Sequence, residues 1–187
     1  SSLQDVANDP ASISSRQVLL SEARSLVSRF QSMSARLDQV EREVGAKVTA
    51  TASEITSLGQ SIAELNREVQ RYGASSAPPP DLLDQRDRLL GRLSELVNVE
   101  TVPQQDGSMS VFIGSGQVLV IGGTAATLAV APSAFDPSKP EVVLQGPSGT
   151  VPITQFLSGG ELGGALDFSR EMLAPARASI GRIAVGL

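Results

Sequence analysis

The residues best suited to chemistry are three aspartates, Asp81, Asp84 and Asp87, spaced three apart in a segment typical of a helix. Carboxylates at this spacing share one helix face, and their oxygens are ligands that Mg²⁺ and Ca²⁺ prefer. Arg86 and Arg88 lie beside them, however, and the positive end of the helix macrodipole favours acids in the first turn. The simpler interpretation is a solvated face of ion pairs, so we expect no metal.

A second candidate is Gly114-Ser115-Gly116, which follows an apolar run as a nucleotide-binding glycine loop does. A dinucleotide fingerprint needs another glycine at position 119, where this chain has Leu119, and a helix after it. A strand pattern follows instead, and neither lysine is preceded by glycine as in a P-loop. We therefore predict a hairpin turn and no cofactor.

Missing residue types exclude further chemistry. The 187 residues contain no Cys and no His, so thiolate and imidazole catalysis, disulfides and the usual zinc sites are absent. The net charge of −5 does not favour nucleic acid or an anionic membrane surface. No apolar run approaches the roughly 18–20 residues of a membrane span, and no secretory signal is visible. We expect no enzyme activity, and the absence of an initiator Met suggests an internal piece of a longer chain.

Charge and glycine divide the chain into three segments. Residues 1–98 carry 11 basic and 13 acidic side chains, whereas 99–160 carry one basic and four acidic residues and most of the glycines. Helix-favouring residues dominate the first and last segments, and short β-branched runs with Gly turns dominate the middle one.

The strongest pattern is an apolar repeat with alternating spacings of three and four, from Leu19 to Tyr72. It predicts one long helix over about residues 12–72, with a coiled-coil seam. Three residues spaced four apart, Val40, Val44 and Val48, form a stutter, which locally unwinds a supercoil. The helix is expected to start between residues 9 and 15 and to end at 73.

Two further helices are predicted. Residues 78–80 are three prolines, after which Asp81 is expected to cap a helix over 82–97 that packs antiparallel to the long one. The last segment becomes helical after 159–160, with a kink or break at Pro175. Between them, five or six short strands over 99–158 predict a small antiparallel unit, with Asp106-Gly107 as one hairpin turn.

The predicted fold class is α+β and multidomain. An elongated α-helical coiled-coil or bundle core, residues 1–98 plus 159–187, is interrupted by an inserted antiparallel β domain, residues 99–158. The apolar seam is open to two interpretations: packing inside this chain or packing on a second chain. The first is preferred for the C-terminal half of the long helix. The shorter helices cannot cover all of it, so part remains for segments outside this sequence or for neighbouring molecules.

Four stretches carry a resemblance to a known family. Residues 14–23 resemble "ARQxLLxxA", 81–97 resemble "NDLLDQRDxLLxxLSxLV", 108–120 resemble "VFIGxGxxLV", and 159–170 resemble "GGxLGGLLDFR". By these motifs the chain is identified as a member of the flagellar hook-associated protein 1 family, which forms the hook–filament junction. The order matches over nearly the whole chain. In the last motif Ser169 is inserted and Ala165 replaces a common Leu, which is a mild departure.

The resemblance implies a non-enzymatic structural subunit of the bacterial flagellum, which polymerises at the hook tip. Its implied partners are copies of itself, the hook protein and the next hook-associated protein. An export chaperone would bind a C-terminal helix outside this sequence. The implied location is extracellular, in the flagellum, after type III export without a cleavable signal peptide. This piece alone is expected to be monomeric.

Within that family, Asp84, Gln85, Arg86 and Asp87 are the candidate interaction residues. They either contact a neighbouring subunit or, as the preferred alternative, form an internal hydrogen-bond network with the long helix. Two other function classes stay open at this point. One is another secreted coiled-coil rod with a β head, such as a translocator or adhesin stalk. The other is a metal-dependent hydrolase using the three aspartates.

Overall fold

The computed structural model describes residues 2–72, 77–133, 140–146 and 149–185. The chain forms two compact units. One consists of Ser1–Arg42 with Glu171–Leu187, and the other is Glu43–Arg170.

Five α-helices occur in the described residues, together with a short 3₁₀-helix and a π-helix. The prediction of one long helix is confirmed, since a single 60-residue helix covers all but the first position of the predicted range. The predicted end at residue 73 lies outside the described residues. The α-helices are α1 (Ser2–Asn8), α2 (Ile13–Tyr72), α3 (Pro80–Leu96), α4 (Gly160–Phe168) and α5 (Ala174–Val185).

Serine caps the start of α2 within the predicted range. The backbone N–H of Ser15 donates to Ser12 Oγ at 3.3 Å, which satisfies one of the free donors of the first turn. Asp9 instead accepts from the N–H of Ala11, in the turn between α1 and α2. The helix therefore begins after Ser12, because that side chain reaches the unpaired amides.

The start of α3 corrects one detail of the sequence analysis. Asp81 was expected to be the cap, but Pro79 occupies that position and Pro80 is the first helical residue. Proline suits this position because its φ is already helical and it has no N–H to leave unpaired. Asp81 lies in the first turn, where the helix macrodipole favours a carboxylate.

The β segment forms two antiparallel sheets, with orders β1-β2-β3-β4 and β5-β6-β7. The prediction of five or six strands in a single unit was therefore too low, since the two-residue strand β4 is too short to give a sequence pattern. The described strands are β1 (Val99–Pro103), β2 (Met109–Ile113), β3 (Gln117–Ile121), β4 (Thr124–Ala125), β5 (Thr127–Pro132), β6 (Pro140–Gly146) and β7 (Gly149–Pro152).

Both sheets share one hydrophobic core with the helices of unit 43–170. Ile55 and Ile62 of α2 are fully buried, as are Leu93 of α3 and Leu119 of β3. A Cβ placed on Gly59 of α2 would lie 3.2 Å from Leu119, so glycine allows the sheet to approach the helix closely. The predicted internal packing of the C-terminal half of α2 is confirmed, with strands as well as α3 covering it.

The other unit leaves its apolar residues more exposed. Leu26 and Met33 of α2 are 41% and 52% exposed, although both belong to the seam pattern. Arg177 of α5 pairs with Asp38 of α2 at 3.0 Å and also with Glu41. Exposed ion pairs of this kind contribute little stability, typically about 0–1 kcal/mol. The described part of this unit therefore has no counterpart of the core found in residues 43–170.

The predicted irregularity at Pro175 appears as a π-helix. The chain is π-helical over Ser169–Leu173, between α4 and α5, and Pro175 is the second residue of α5. A proline in a helix removes one backbone hydrogen bond and crowds the carbonyl four residues earlier. The wider π turn relieves that conflict.

The compact units do not coincide with the predicted domain boundaries at 98/99 and 158/159, because the strands share a core with helical residues. The division into 1–98 plus 159–187 and 99–158 remains a prediction about chain organisation. In the described residues, no helix combines the length and the hydrophobicity needed to cross a bilayer.

Candidate interaction site

The four predicted interaction residues on α3 divide into one buried and three exposed side chains. Arg86 is only 7% exposed, whereas Asp84, Gln85 and Asp87 are exposed. One face of α3 packs into unit 43–170 and the opposite face is solvated, so neighbouring positions of one motif have different surroundings. The structure therefore does not bring the four side chains together as one surface.

Arg86 binds within the chain. Its Nη1 donates to the carbonyl oxygen of Gly107 at 2.9 Å, in the turn between β1 and β2. Gly107 has φ +83°, and a Cβ there would lie 3.0 Å from Val69 of α2. The Nε of Arg86 is buried and has no hydrogen-bond partner among the described residues. The hydrogen bond of Arg86 thus links α3 to a hairpin turn rather than to the long helix.

Asn66 of α2 is a connecting residue that the sequence analysis missed. It is fully buried, and its Nδ2 donates to the carbonyl oxygens of Met109 and Gly122, each at 2.8 Å. Its Oδ1 accepts the N–H of Met109 at 3.0 Å. One side chain therefore holds the start of β2 and the turn between β3 and β4. In the sequence, Asn66 stands out only as a polar residue beside the apolar seam of α2. Its hydrogen-bond partners lie 43 and 56 residues away, so a local pattern could not identify them.

The β1–β2 turn is also held by its own aspartate. Asp106 Oδ1 accepts from the Oγ of Ser108 at 2.6 Å and from its N–H at 3.0 Å, and Oδ2 accepts from Gln70 Nε2 at 2.8 Å. The Ser108 side chain lowers the pKa of Asp106 most, followed by the Ser108 backbone and the Gln70 side chain. These bonds favour the ionised carboxylate.

The glycine-rich motifs meet at the C-terminal end of α3. The N–H of Asn98 donates to Ser158 O at 3.0 Å, and the N–H of Gly114 donates to Asn98 O at 2.9 Å. The N–H of Ser115 donates to Phe156 O at 2.9 Å. The segment 114–116 is a turn between β2 and β3, which confirms the predicted hairpin turn.

Steric requirements explain glycine at two of these positions. A Cβ on Gly114 would lie 2.1 Å from Phe156 O, and one on Gly160 would lie 2.4 Å from the carbonyl carbon of Leu96. Both glycines have positive φ, +61° and +59°, which L-residues rarely adopt. Three sequence motifs thus converge because their backbones pack against one another without side chains.

The buried polar side chains of this region make contacts within the chain. Among the residues described, no three or more acidic side chains are grouped so that they could hold a metal ion. The buried polar side chains discussed above, Asn66 and Arg86, bind backbone carbonyls. These two side chains therefore join helices to turns.

Comparison with known families gives the decisive observation. Residues 1–187 match the family described as the helical domain of the flagellar hook-associated protein FlgK. The chain belongs to the FlgK family. The resemblance inferred from the four motifs is thereby confirmed.

Curated relatives of this FlgK-family chain agree. The flagellar hook-associated protein 1 of Escherichia coli K12 is 32% identical over 188 residues, covering 98% of this chain and 34% of that protein. The Salmonella typhimurium protein of the same name gives the same identity and coverage. The Bacillus subtilis protein is 25% identical over 119 residues. The chain spans about a third of the length of the E. coli and Salmonella relatives.

A solved structure shows the same fold. The flagellar hook junction protein FlgK from Burkholderia pseudomallei superimposes with a TM-score of 0.89 at 38% sequence identity. The match covers 98% of this chain and 34% of that one. The predicted α+β class, with a long helix and small antiparallel sheets, is confirmed.

Proposed function

We propose that this chain is the helical portion of a structural subunit that joins the hook to the filament of the bacterial flagellum. The match to a hook junction protein over 98% of the chain carries the proposal. The full-length protein polymerises at the hook tip. Its neighbours are copies of itself, the hook protein and the next hook-associated protein.

The subunit works by assembly and not by catalysis. With no His and no Cys, the chain lacks the commonest general base and the commonest thiol nucleophile. Arg86, its buried guanidinium, is bound to a backbone carbonyl. These features support a structural role without a cofactor or metal.

The protein acts outside the cell, in the flagellum, after export by the flagellar type III system without a cleavable signal. A chain without Cys cannot form disulfides that would prevent passage in an unfolded state. A chaperone would recognise a C-terminal helix outside this sequence. Residues 1–187 alone would be monomeric, as light scattering at micromolar concentration can check.

The chain organisation follows the same proposal. Residues 99–158 are a β insertion in a helical chain formed by 1–98 and 159–187. Residues 99–158 interrupt the helical chain in sequence but do not form a core of their own, because their strands share the core of residues 43–170.

The exposed members of the α3 motif are the candidate subunit contacts. Asp84, Gln85 and Asp87 are solvated, and a contact with a neighbouring subunit requires accessible side chains. Arg86 acts inside the chain by holding the turn at Gly107. We assign the interface role to the three exposed residues and the stabilising role to Arg86.

Cells that lack the full-length protein provide the test. They should release flagellin into the medium without building filaments, and the wild-type gene should restore filaments. Filaments in the deleted cells would contradict the junction function itself.

The interface assignment needs a separate comparison. A full-length protein with Asp84→Arg and Asp87→Arg should restore fewer filaments than wild type, while the same substitutions leave the unfolding midpoint of this chain unchanged. Glu68→Arg, an exposed acid on α2, is the matched control and should restore filaments fully. Full restoration by the α3 variant would contradict the interface role only.

A further inference from the structure

Proline encodes the irregularity between α4 and α5. Pro175 has no N–H, and its ring crowds the carbonyl of Glu171, four residues earlier. The π-helix Ser169–Leu173 contains that carbonyl. Because a π turn widens the helix locally, it accommodates the proline without ending the helix. The π-helical geometry of Ser169–Leu173 therefore depends on Pro175.

Within the described residues of this chain, little packing holds this segment in place. None of its five residues is buried, and neither is any of 174–184 in α5. Met172, within the π-helix, is 61% exposed. Tertiary packing supplies most of the stability of helices in proteins, so an irregular and solvated segment resists bending weakly.

A second irregularity lies in α2. The stutter at Val40, Val44 and Val48 surrounds Gly45, whose missing Cβ would meet no atom within 4 Å. Thr49 Oγ1 donates to the carbonyl oxygen of Gly45 at 2.9 Å, the back-bonding to residue i−4 that often bends helices. Glycine also lowers the intrinsic stability of a helix interior. Because a Cβ at position 45 would meet no neighbouring atom, packing does not require glycine there.

The boundaries between the two compact units fall close to both irregularities. The contacts of the chain separate between Arg42 and Glu43 in α2 and between Arg170 and Glu171 in the π-helix. Each irregularity lies beside one of these two positions. We propose that Gly45 and Ser169–Leu173 are two hinges, at which the helices of this chain bend. This conformational device goes beyond the junction function and does not depend on it.

Pairs of spin labels on one helix can measure the bending. The chain has no Cys, so two introduced cysteines are the only labelled sites. One pair, Ala35→Cys with Ser53→Cys, spans Gly45. A control pair, Ser53→Cys with Arg71→Cys, spans an equal length of α2, which also contains a glycine, Gly59, but one that packs against Leu119. Both are separated by roughly 27 Å at 1.5 Å per residue, which suits distance measurement by electron resonance.

A third pair tests the π-helix at the same spacing. Gly164→Cys and Arg182→Cys are both at exposed positions, and they span Ser169–Leu173 and Pro175. In the otherwise wild-type chain, we expect the two hinge-spanning pairs to give distance distributions at least about twice as wide as the control pair. Equal widths for all three pairs would overturn the proposal.

Two substitutions should remove the hinges one at a time. Gly45→Ala should narrow only the first distribution, and Pro175→Ala should narrow only the third, because each restores regular helix. Gly91→Ala in α3, where a Cβ also meets no atom within 4 Å, is the matched control and should narrow neither. Unchanged widths in Gly45→Ala and Pro175→Ala would contradict the assignment of the hinges to these residues. Circular dichroism checks that each variant retains its helices.

Discussion

Asn66 of α2 and Met109 of β2 exchange two hydrogen bonds in opposite directions. The N–H of Met109 donates to Asn66 Oδ1 at 3.0 Å, and Asn66 Nδ2 donates to Met109 O at 2.8 Å. The side-chain amide of Asn66 thus pairs with the backbone N–H and C=O of Met109, as a neighbouring strand would. A third hydrogen bond, from Asn66 Nδ2 to Gly122 O, extends the connection to another turn.

Replacing Asn66 by alanine should destabilise the chain strongly. Three hydrogen bonds are lost in a fully buried place, so we expect a decrease of about 3 kcal/mol in the free energy of unfolding. Urea denaturation followed by circular dichroism measures it. Gln60→Ala, at an exposed position of the same helix, should change it by less than about 0.5 kcal/mol. Similar values for the two variants would show that Asn66 does not hold the strands.

Substitutions of Arg86 should separate the effect of its charge from that of its volume. Arg86→Glu places a carboxylate against the Gly107 carbonyl in a buried site and should cost at least about 3 kcal/mol. Arg86→Met removes one hydrogen bond together with an unpartnered buried donor, so a change within about 1 kcal/mol is expected.

The exposed neighbour Arg88 provides the control for that comparison. Arg88→Glu should shift the unfolding free energy by no more than about 0.5 kcal/mol. If Arg86→Glu were as harmless as Arg88→Glu in urea denaturation, the internal role of Arg86 would be wrong.

Glycines in one turn should differ in their tolerance of alanine. Gly114→Ala forces a Cβ to within 2.1 Å of Phe156 O and should cost at least about 3 kcal/mol. Gly116 also has positive φ, but its Cβ would meet no atom within 4 Å, so alanine should cost only about 1–2 kcal/mol. Thermal or urea unfolding of both variants checks the order, and the reverse order would contradict the steric explanation.

Stability should depend on pH through Asp106. Hydrogen bonds from Ser108 and Gln70 lower its pKa in the folded chain. Its ionised form therefore contributes stability above the ordinary aspartate pKa of about 3.9, and this contribution is lost as the pH falls through the lower folded value. Urea unfolding at pH 7 and at a series of acidic pH values should show a smaller loss in Asp106→Asn than in wild type.

Ser108→Ala should show a pH dependence of stability between those of wild type and Asp106→Asn. It removes the donor with the largest effect on the Asp106 pKa but keeps the carboxylate. Its acid-induced loss of stability should fall between those of wild type and Asp106→Asn. Identical acid profiles for all three proteins would exclude a contribution from this turn.

The sequence by itself determined the features that depend on local pattern. The apolar repeat predicted the long helix α2, whose start at Ile13 lies in the predicted range of residues 9–15, and Gly114-Ser115-Gly116 predicted a hairpin turn. Helix periodicity and turn geometry involve residues close in the chain, so they can be inferred without knowing the fold. The motifs also identified the family correctly.

Only the tertiary structure decided which side chains are buried together. Asp84, Gln85, Arg86 and Asp87 form one motif, yet Arg86 alone packs inside, because α3 turns that position towards the β1–β2 turn. For Asn66 the sequence showed only a polar residue beside the apolar seam and not its partners, which lie 43 and 56 residues away. Burial depends on contacts between distant segments, and local periodicity specifies a helix face but not what packs against it.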